Sequence, residues 1–116
     1  MTAPARARGD LAEDRALSYL LDAGLELIAR NVASPLGEID LIMRDGRQWV
    51  FVEVRSRSSA AFGGAAASVT RAKQLRLKRQ SQWVLKSRFG DTPWPACRFD
   101  VCALDAGQIN WIQGAF

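Results

Sequence analysis

The chain has 116 residues, 48% of them apolar and 24% charged, which suits one compact domain with a genuine core and is too short for two. It contains no histidine, so Ser-His-Asp and Cys-His nucleophile systems are excluded and any hydrolysis has to rest on carboxylates, lysine or a metal. No apolar run approaches a membrane span, and Met1 to Gly9 is Ala/Arg-rich without a hydrophobic signal region, so the expectation is a cytoplasmic protein without a membrane partner.

Residues 1–9 are expected to be disordered. Asp10-Leu11-Ala12-Glu13 then opens a first helix, in which Ala12, Ala16, Tyr19, Leu20 and Ala23 form one apolar stripe and Gly24 stands at the C′ position. Asp10 and Glu13 fit a capping box. A second role stays open for Glu13, one residue from the buried stripe: leaning over the sheet toward Asp40. Leu25 to Arg30 reads as a first strand, followed by Asn31 and the turn Ser34-Pro35-Leu36-Gly37.

The next stretch, GEIDLIMRDGRQWVFVEVRSR from Gly37 to Arg57, reads as two strands joined at Asp45-Gly46, a strong hairpin signal. A turn centred between those two residues pairs Ile42 with Trp49, Asp40 with Phe51 and Glu38 with Glu53. Asp40, Glu53 and Arg55 then share a face, with the two acids diagonal neighbours, while Ile39, Leu41, Val50, Val52 and Val54 share the other. An acid, a second acid 13 positions later, one apolar residue and a basic residue form the constellation of metal-dependent phosphodiester cleavage. The plainer alternative is a solvated hairpin edge whose charges serve solubility.

Ser58 to Ser68, rich in Ala, Ser and Gly around Phe62, is expected as a flexible loop at the edge of the active face. Thr70 is the expected N-cap of a helix to about Ser87, with Ala72, Leu75 and Trp83 toward the sheet and Lys73, Arg76 and Arg79 on an accessible flank. Asp91 to Pro95 breaks the pattern. Arg98 to Leu104 reads as a strand, Asp105-Ala106-Gly107 as a turn and Gln108 to Ile112 as a last short strand. The order is helix, three strands, helix, two strands, for which a mixed sheet flanked by helices is the economical solution. Cys97 and Cys102, the only cysteines, point to opposite faces of their strand, which argues against a disulfide, and the lack of His and of a CxxC argues against zinc.

Charge is unevenly distributed. The net charge is +4; nine of the 16 basic residues lie between Glu53 and Asp91 in a window without acids, and nine of the 12 acids lie at or before Glu53. A basic second half beside a focused acidic site suits a polyanion held by Lys and Arg, with a solvated basic helix as the alternative.

Glu13-x-x-Ala16-x-x-Tyr19-Leu20, Arg30-Asn31, Gly37-Glu38-Ile39-Asp40-Leu41-Ile42, Phe51-Val52-Glu53-Val54-Arg55-x-Arg57, Lys73-Gln74 and Arg98-Phe99-Asp100-Val101 together resemble the YraN family of small bacterial proteins. That family is similar to Holliday junction resolvases and the PD-(D/E)xK nucleases. The resemblance implies a single endonuclease-like domain over 1–116 with the α/β, restriction-endonuclease-like αβββαβ core. It also implies Mg²⁺ or Mn²⁺ held by Asp40, Glu53, the Val54 carbonyl and Glu13. Arg55 stands where those nucleases usually have Lys. Arginine stays protonated and cannot be the base, so either the cation acidifies a water, or Lys73 replaces the lost lysine, or activity is weakened, with Gln74 a candidate to orient the water.

The expected function is a metal-dependent DNA endonuclease acting on branched or structured DNA, with Glu13, Asp40, Glu53, Arg55 and Lys73 in the chemistry and Arg57, Arg71, Arg76 and Arg79 gripping the nucleic acid backbone. The competing expectation is a binding module that keeps the fold without cleaving, and a third is an interaction protein whose basic flank docks an acidic partner. Resolvases act as dimers, so a homodimer is a candidate assembly.

Overall fold

A computed structural model describes residues 5–59 and 61–116. The first helix, α1, runs Ala5–Asp22. It is followed by β1 (Glu26–Ser34), β2 (Gly37–Asp45) and β3 (Gln48–Arg57). A 3-10 turn (Ala61–Gly63) and a four-residue helix α2 (Gly64–Ala67) lead into α3 (Arg71–Phe89), and β4 (Cys97–Asp105) and β5 (Gln108–Ile112) complete the fold. The sheet order is β1-β2-β3-β4-β5. Only β3 and β4 are parallel, and α3 is the crossover that parallel neighbours require. The expected αβββαβ order is therefore present in a mixed α/β fold, with β5 added at the edge.

Two apolar layers sandwich the sheet. On one face Ala16 and Leu20 of α1 pack with Leu41, Met43, Val50, Val52 and Cys102. On the other, Leu77, Val84 and Leu85 of α3 pack with Ile39, Ile42, Trp49 and Phe51. Ile39 and Leu41, two apart on β2, thus lie in opposite layers. Simple alternation is broken across Asp40, and the expected single apolar face of Ile39, Leu41, Val50, Val52 and Val54 loses Ile39.

Three local expectations are corrected. First, α1 extends through Ala5–Gly9, so Asp10 lies inside the helix and is not its N-cap; of the residues expected to be disordered, 5–9 are helical and 1–4 lie outside the described residues. At the other end Gly24 does close the helix, with φ 99° and Leu25 N–H donating to the Leu20 carbonyl at 3.1 Å. Second, α3 buries Leu77, Gln80, Ser81, Val84 and Leu85, while Leu75 and Trp83 are exposed and so is Ala72. Polar Gln80 and Ser81 disguise the buried face, because hydrogen bonds to the Glu38 and Lys78 carbonyls satisfy them there. Thr70 is the N-cap as expected, accepting from Lys73 N–H.

Third, the hairpin register differs. Ile42 pairs with Phe51, Met43 with Val50 and Asp45 with Gln48, so the loop residues are Gly46 and Arg47. Gly46, at φ 62°, supplies the left-handed conformation at the first loop position. The face on which each residue lies is the same in both registers, which is why alternation in the sequence does not choose between them.

Candidate active site

Continuing the observed register by one residue sets Asp40 opposite Glu53, not opposite Phe51 and not diagonal to Glu53. The ladder stops short of that pair: Val54 N–H donates 2.8 Å to Asp40 Oδ2 instead of to the neighbouring strand. Asp40 thereby takes up a backbone donor of β3 with its side chain, where the β2–β3 pairing ends.

Glu13 comes to the same place from α1. Asp40, Glu53, Val54, Arg55 and Arg57 line one cavity of about 910 Å³ together with Glu13, and Ser58, Ser68 and Gly107 complete its rim. Arg30, whose role the sequence left unassigned, approaches Glu13 Oε1 to 3.5 Å with Nε and pairs with Asp14 at 2.5 Å through Nη2. The contact replaces the expected capping box as what orients Glu13. Its signal was the Arg30-Asn31 pair of the family motif.

The three acids carry the mark of crowding. Burial, then the charge of Glu53, raise the Asp40 carboxyl from its ordinary 3.8 to about 6, against the lowering pull of the Val54 N–H and Arg55. Burial raises Glu53 as well, opposed chiefly by Arg55 and then Lys73. Glu13 is raised by burial and by Asp40, with Arg30 opposing. Such a group gains from an added cation, since a positive charge relieves both the desolvation and the mutual repulsion.

The donor chemistry fits Mg²⁺ or Mn²⁺. Both ions take oxygen ligands, and Mg²⁺ keeps several waters while binding through one or two carboxylates. Asp40 and Glu53 would supply those two. Among the described residues no three His, Cys, Asp or Glu side chains converge closely enough to hold a metal by themselves. Glu53 is also engaged: Arg55 Nη2 donates to its Oε1 at 2.8 Å.

The remaining expected residues divide. Lys73 and Arg76 do not line the acidic cavity but a smaller cleft of about 180 Å³ on the α3 side, whose wall again includes Glu53 and Arg55. Lys73 Nζ donates to the Ser68 carbonyl at 3.3 Å. Gln74 donates to the Val69 carbonyl at 3.2 Å, so its amide is spent on the turn before α3 and not on a water. Arg71 and Arg79 are exposed on α3 and line neither cleft.

The Ser58–Ser68 segment does reach the cavity, through Ser58 and Ser68; residue 60 lies outside the described residues, and the 3-10 turn and α2 follow it. Asp105 accepts from the Ala65 N–H at 2.7 Å, and Ala65 and Val69 are buried. No local pattern signals that tie, because Asp105 lies 40 residues along the chain from Ala65.

A family model described as Uncharacterised protein family UPF0102 matches residues 12–104, which include Glu13, Asp40 and Glu53. The chain belongs to the UPF0102 family. A UPF0102 protein of Ralstonia nicotianae is 53% identical over 116 residues, covering 97% of this chain and 88% of the relative. One from Serratia proteamaculans is 53% identical over 111 residues, covering 96% and 95%, and one from Shewanella loihica is 49% identical over 109, covering 94% and 93%. The UPF0102 family is the YraN family to which the GEIDLI and FVEV segments pointed, and the match extends through β4. Among the described residues no helix is long and apolar enough to cross a membrane.

Proposed function

We propose that this UPF0102 protein is a Mg²⁺- or Mn²⁺-dependent DNA endonuclease of the cytoplasm that acts on branched or structured DNA. The observation that carries the reading is the approach of two part-buried carboxylates, Asp40 and Glu53, from adjacent strands into a cavity that also holds Glu13 and is flanked by Arg55 and Arg57. Bringing three partly buried acids together costs stability even with Arg30 and Arg55 beside them, and a bound cation would offset that cost.

Asp40, Glu53 and the Val54 carbonyl would hold the ion, with Glu13 placed behind them by Arg30. A bound Mg²⁺ or Mn²⁺ supplies acidification of the attacking water and neutralises phosphate charge. Arg55 remains protonated throughout, so it orients the phosphate and stabilises its developing charge without taking a proton. Arg57 does the same from the rim. Lys73 and Arg76 hold the backbone on the α3 side, and Arg71 and Arg79 extend that basic surface along the helix. Cutting two strands of a branch calls for two active sites, so a homodimer accompanies this reading.

A second reading, a nucleic-acid-binding module that no longer cleaves, is favoured by one observation: Arg55, in the place of a usual lysine, is ion-paired with Glu53. Cleavage of labelled duplex, single-stranded, flap and four-way-junction DNA with Mn²⁺, Mg²⁺ or EDTA separates the two. Metal-dependent cutting that disappears in Asp40→Ala and Glu53→Ala is the expected result. Binding without cutting, indifferent to EDTA and to both substitutions, would leave the binding module.

A further inference from the structure

The Glu53–Arg55 pair stands between the two clefts and lines both. On one side lie Asp40 and Glu13; on the other, Lys73, Arg76 and Gln80. Arg55 Nη2 holds Glu53 at 2.8 Å, and both side chains are under one-third exposed. The guanidinium is nonetheless incompletely satisfied, because its Nε is buried without a hydrogen-bond partner among the described residues. A buried donor in that condition is costly, and a planar fork with one donor spare is matched to a second anion.

We propose that Arg55 is a tethered counter-ion: it occupies Glu53 when no substrate is bound, and a phosphodiester in the Lys73–Arg76 cleft draws it away, so that phosphodiester and divalent metal bind cooperatively. The inference rests on the metal-site reading above. A guanidinium and a metal ion compete for the same Glu53 lone pairs, and binding one weakens the other. A phosphate placed between Arg55, Lys73 and Arg76 offers the guanidinium a bidentate acceptor with room for the unpartnered Nε. Glu38 and Glu53 also line the smaller cleft. An anion is therefore held there only once Arg55 has turned toward it and a metal has neutralised Glu53. Each ligand removes the obstacle to the other.

The test is Mn²⁺ binding, followed by the electron paramagnetic resonance signal of the free ion, in the wild-type protein, Arg55→Gln and Arg55→Lys. Each is titrated alone and with dimethyl phosphate, a phosphodiester whose hydrolysis is too slow to intrude. A partly screened ion pair is worth about a fivefold change in an equilibrium constant. Wild-type protein should therefore bind Mn²⁺ about fivefold more tightly with dimethyl phosphate than without it. Arg55→Gln should be tighter by a similar factor from the start and gain little from dimethyl phosphate. Arg55→Lys, which keeps a cation near Glu53, should stay close to wild type and so separate the charge effect from repacking.

Equal or weaker Mn²⁺ binding by Arg55→Gln overturns the proposal, as does a dimethyl phosphate effect that survives undiminished in that variant. If Arg55→Gln does not fold, the wild-type titration still decides, since no tightening by dimethyl phosphate is also a refutation. Mn²⁺ binding that ignores Arg55 defeats this inference alone. Absence of Mn²⁺ binding in all three proteins defeats the metal-site reading with it.

Discussion

Replacing Asp40 with asparagine should make the protein more stable at neutral pH and, under the proposed function, abolish cleavage. Asn keeps an oxygen to accept the Val54 N–H and removes the charge that Asp40 must carry beside Glu53. The rise in its carboxyl from 3.8 to about 6 corresponds to about 3 kcal/mol at ~1.4 kcal/mol per tenfold. Burial of the new amide group offsets part of that, leaving about 1–2 kcal/mol, or roughly 4–8 °C in Tm for a chain of this size. The sign follows from linkage. Between 3.8 and about 6 the folded protein binds more protons at Asp40 than the unfolded chain, so this group's contribution to stability falls as pH rises through that window. The advantage of Asp40→Asn should accordingly be small at pH 3.5, grow through the window and be complete above it. Thermal melts of both proteins from pH 3.5 to 7.5, followed by circular dichroism, make the comparison. A constant gap across that range, or a less stable variant at pH 7.5, would refute the picture of a charge-strained acid.

Three further predictions address the scaffold. Asp100 is fully buried and accepts from Arg98 Nε at 3.1 Å, Trp111 Nε1 at 2.9 Å and Gly114 N–H at 2.9 Å. Asp100→Ala strands those donors and should cost about 3–5 kcal/mol in urea denaturation; a loss below ~1 kcal/mol would show that the β4–β5 edge does not depend on it. Gly64 has φ 71°, and a Cβ there would meet Asp105 Oδ1 at 2.7 Å, so Gly64→Ala should break the Asp105–Ala65 bond and expose the 58–69 segment to limited proteolysis well before the rest of the chain. An unchanged digestion pattern would count against that tie. Leu77→Ala should cost about 2–4 kcal/mol and Leu75→Ala less than ~1 kcal/mol, and equal losses would mean that α3 presents a different face to the sheet.

Much of this protein was legible in its sequence where the signal is local. Thr70 as N-cap, Gly24 at the end of α1, the Ser34-Pro35-Leu36-Gly37 turn and the bounds of β5 each depend on a few consecutive residues whose backbone preferences agree. The nearness of Asp40 and Glu53 also came from spacing on a hairpin, and with the register shifted by two both acids still line one cavity. Local signals along the chain thus carry the order of the elements and the neighbouring places of Asp40 and Glu53 on the hairpin.

Tertiary structure decided the rest, and in each case through groups distant along the chain. Gln80 and Ser81 lie on the buried side of α3 because packing against the sheet, together with local and long-range hydrogen bonds, outweighs their polarity. Arg30 reaches Glu13 only once β1 lies against α1. Lys73 faces a second cleft, beyond the Glu53–Arg55 pair, because the crossover places α3 on the opposite side of the sheet from α1. Backbone preferences act over one turn, whereas the charge balance of a buried site is set by whatever the fold brings within a few ångströms, and that is not encoded in any single stretch of chain.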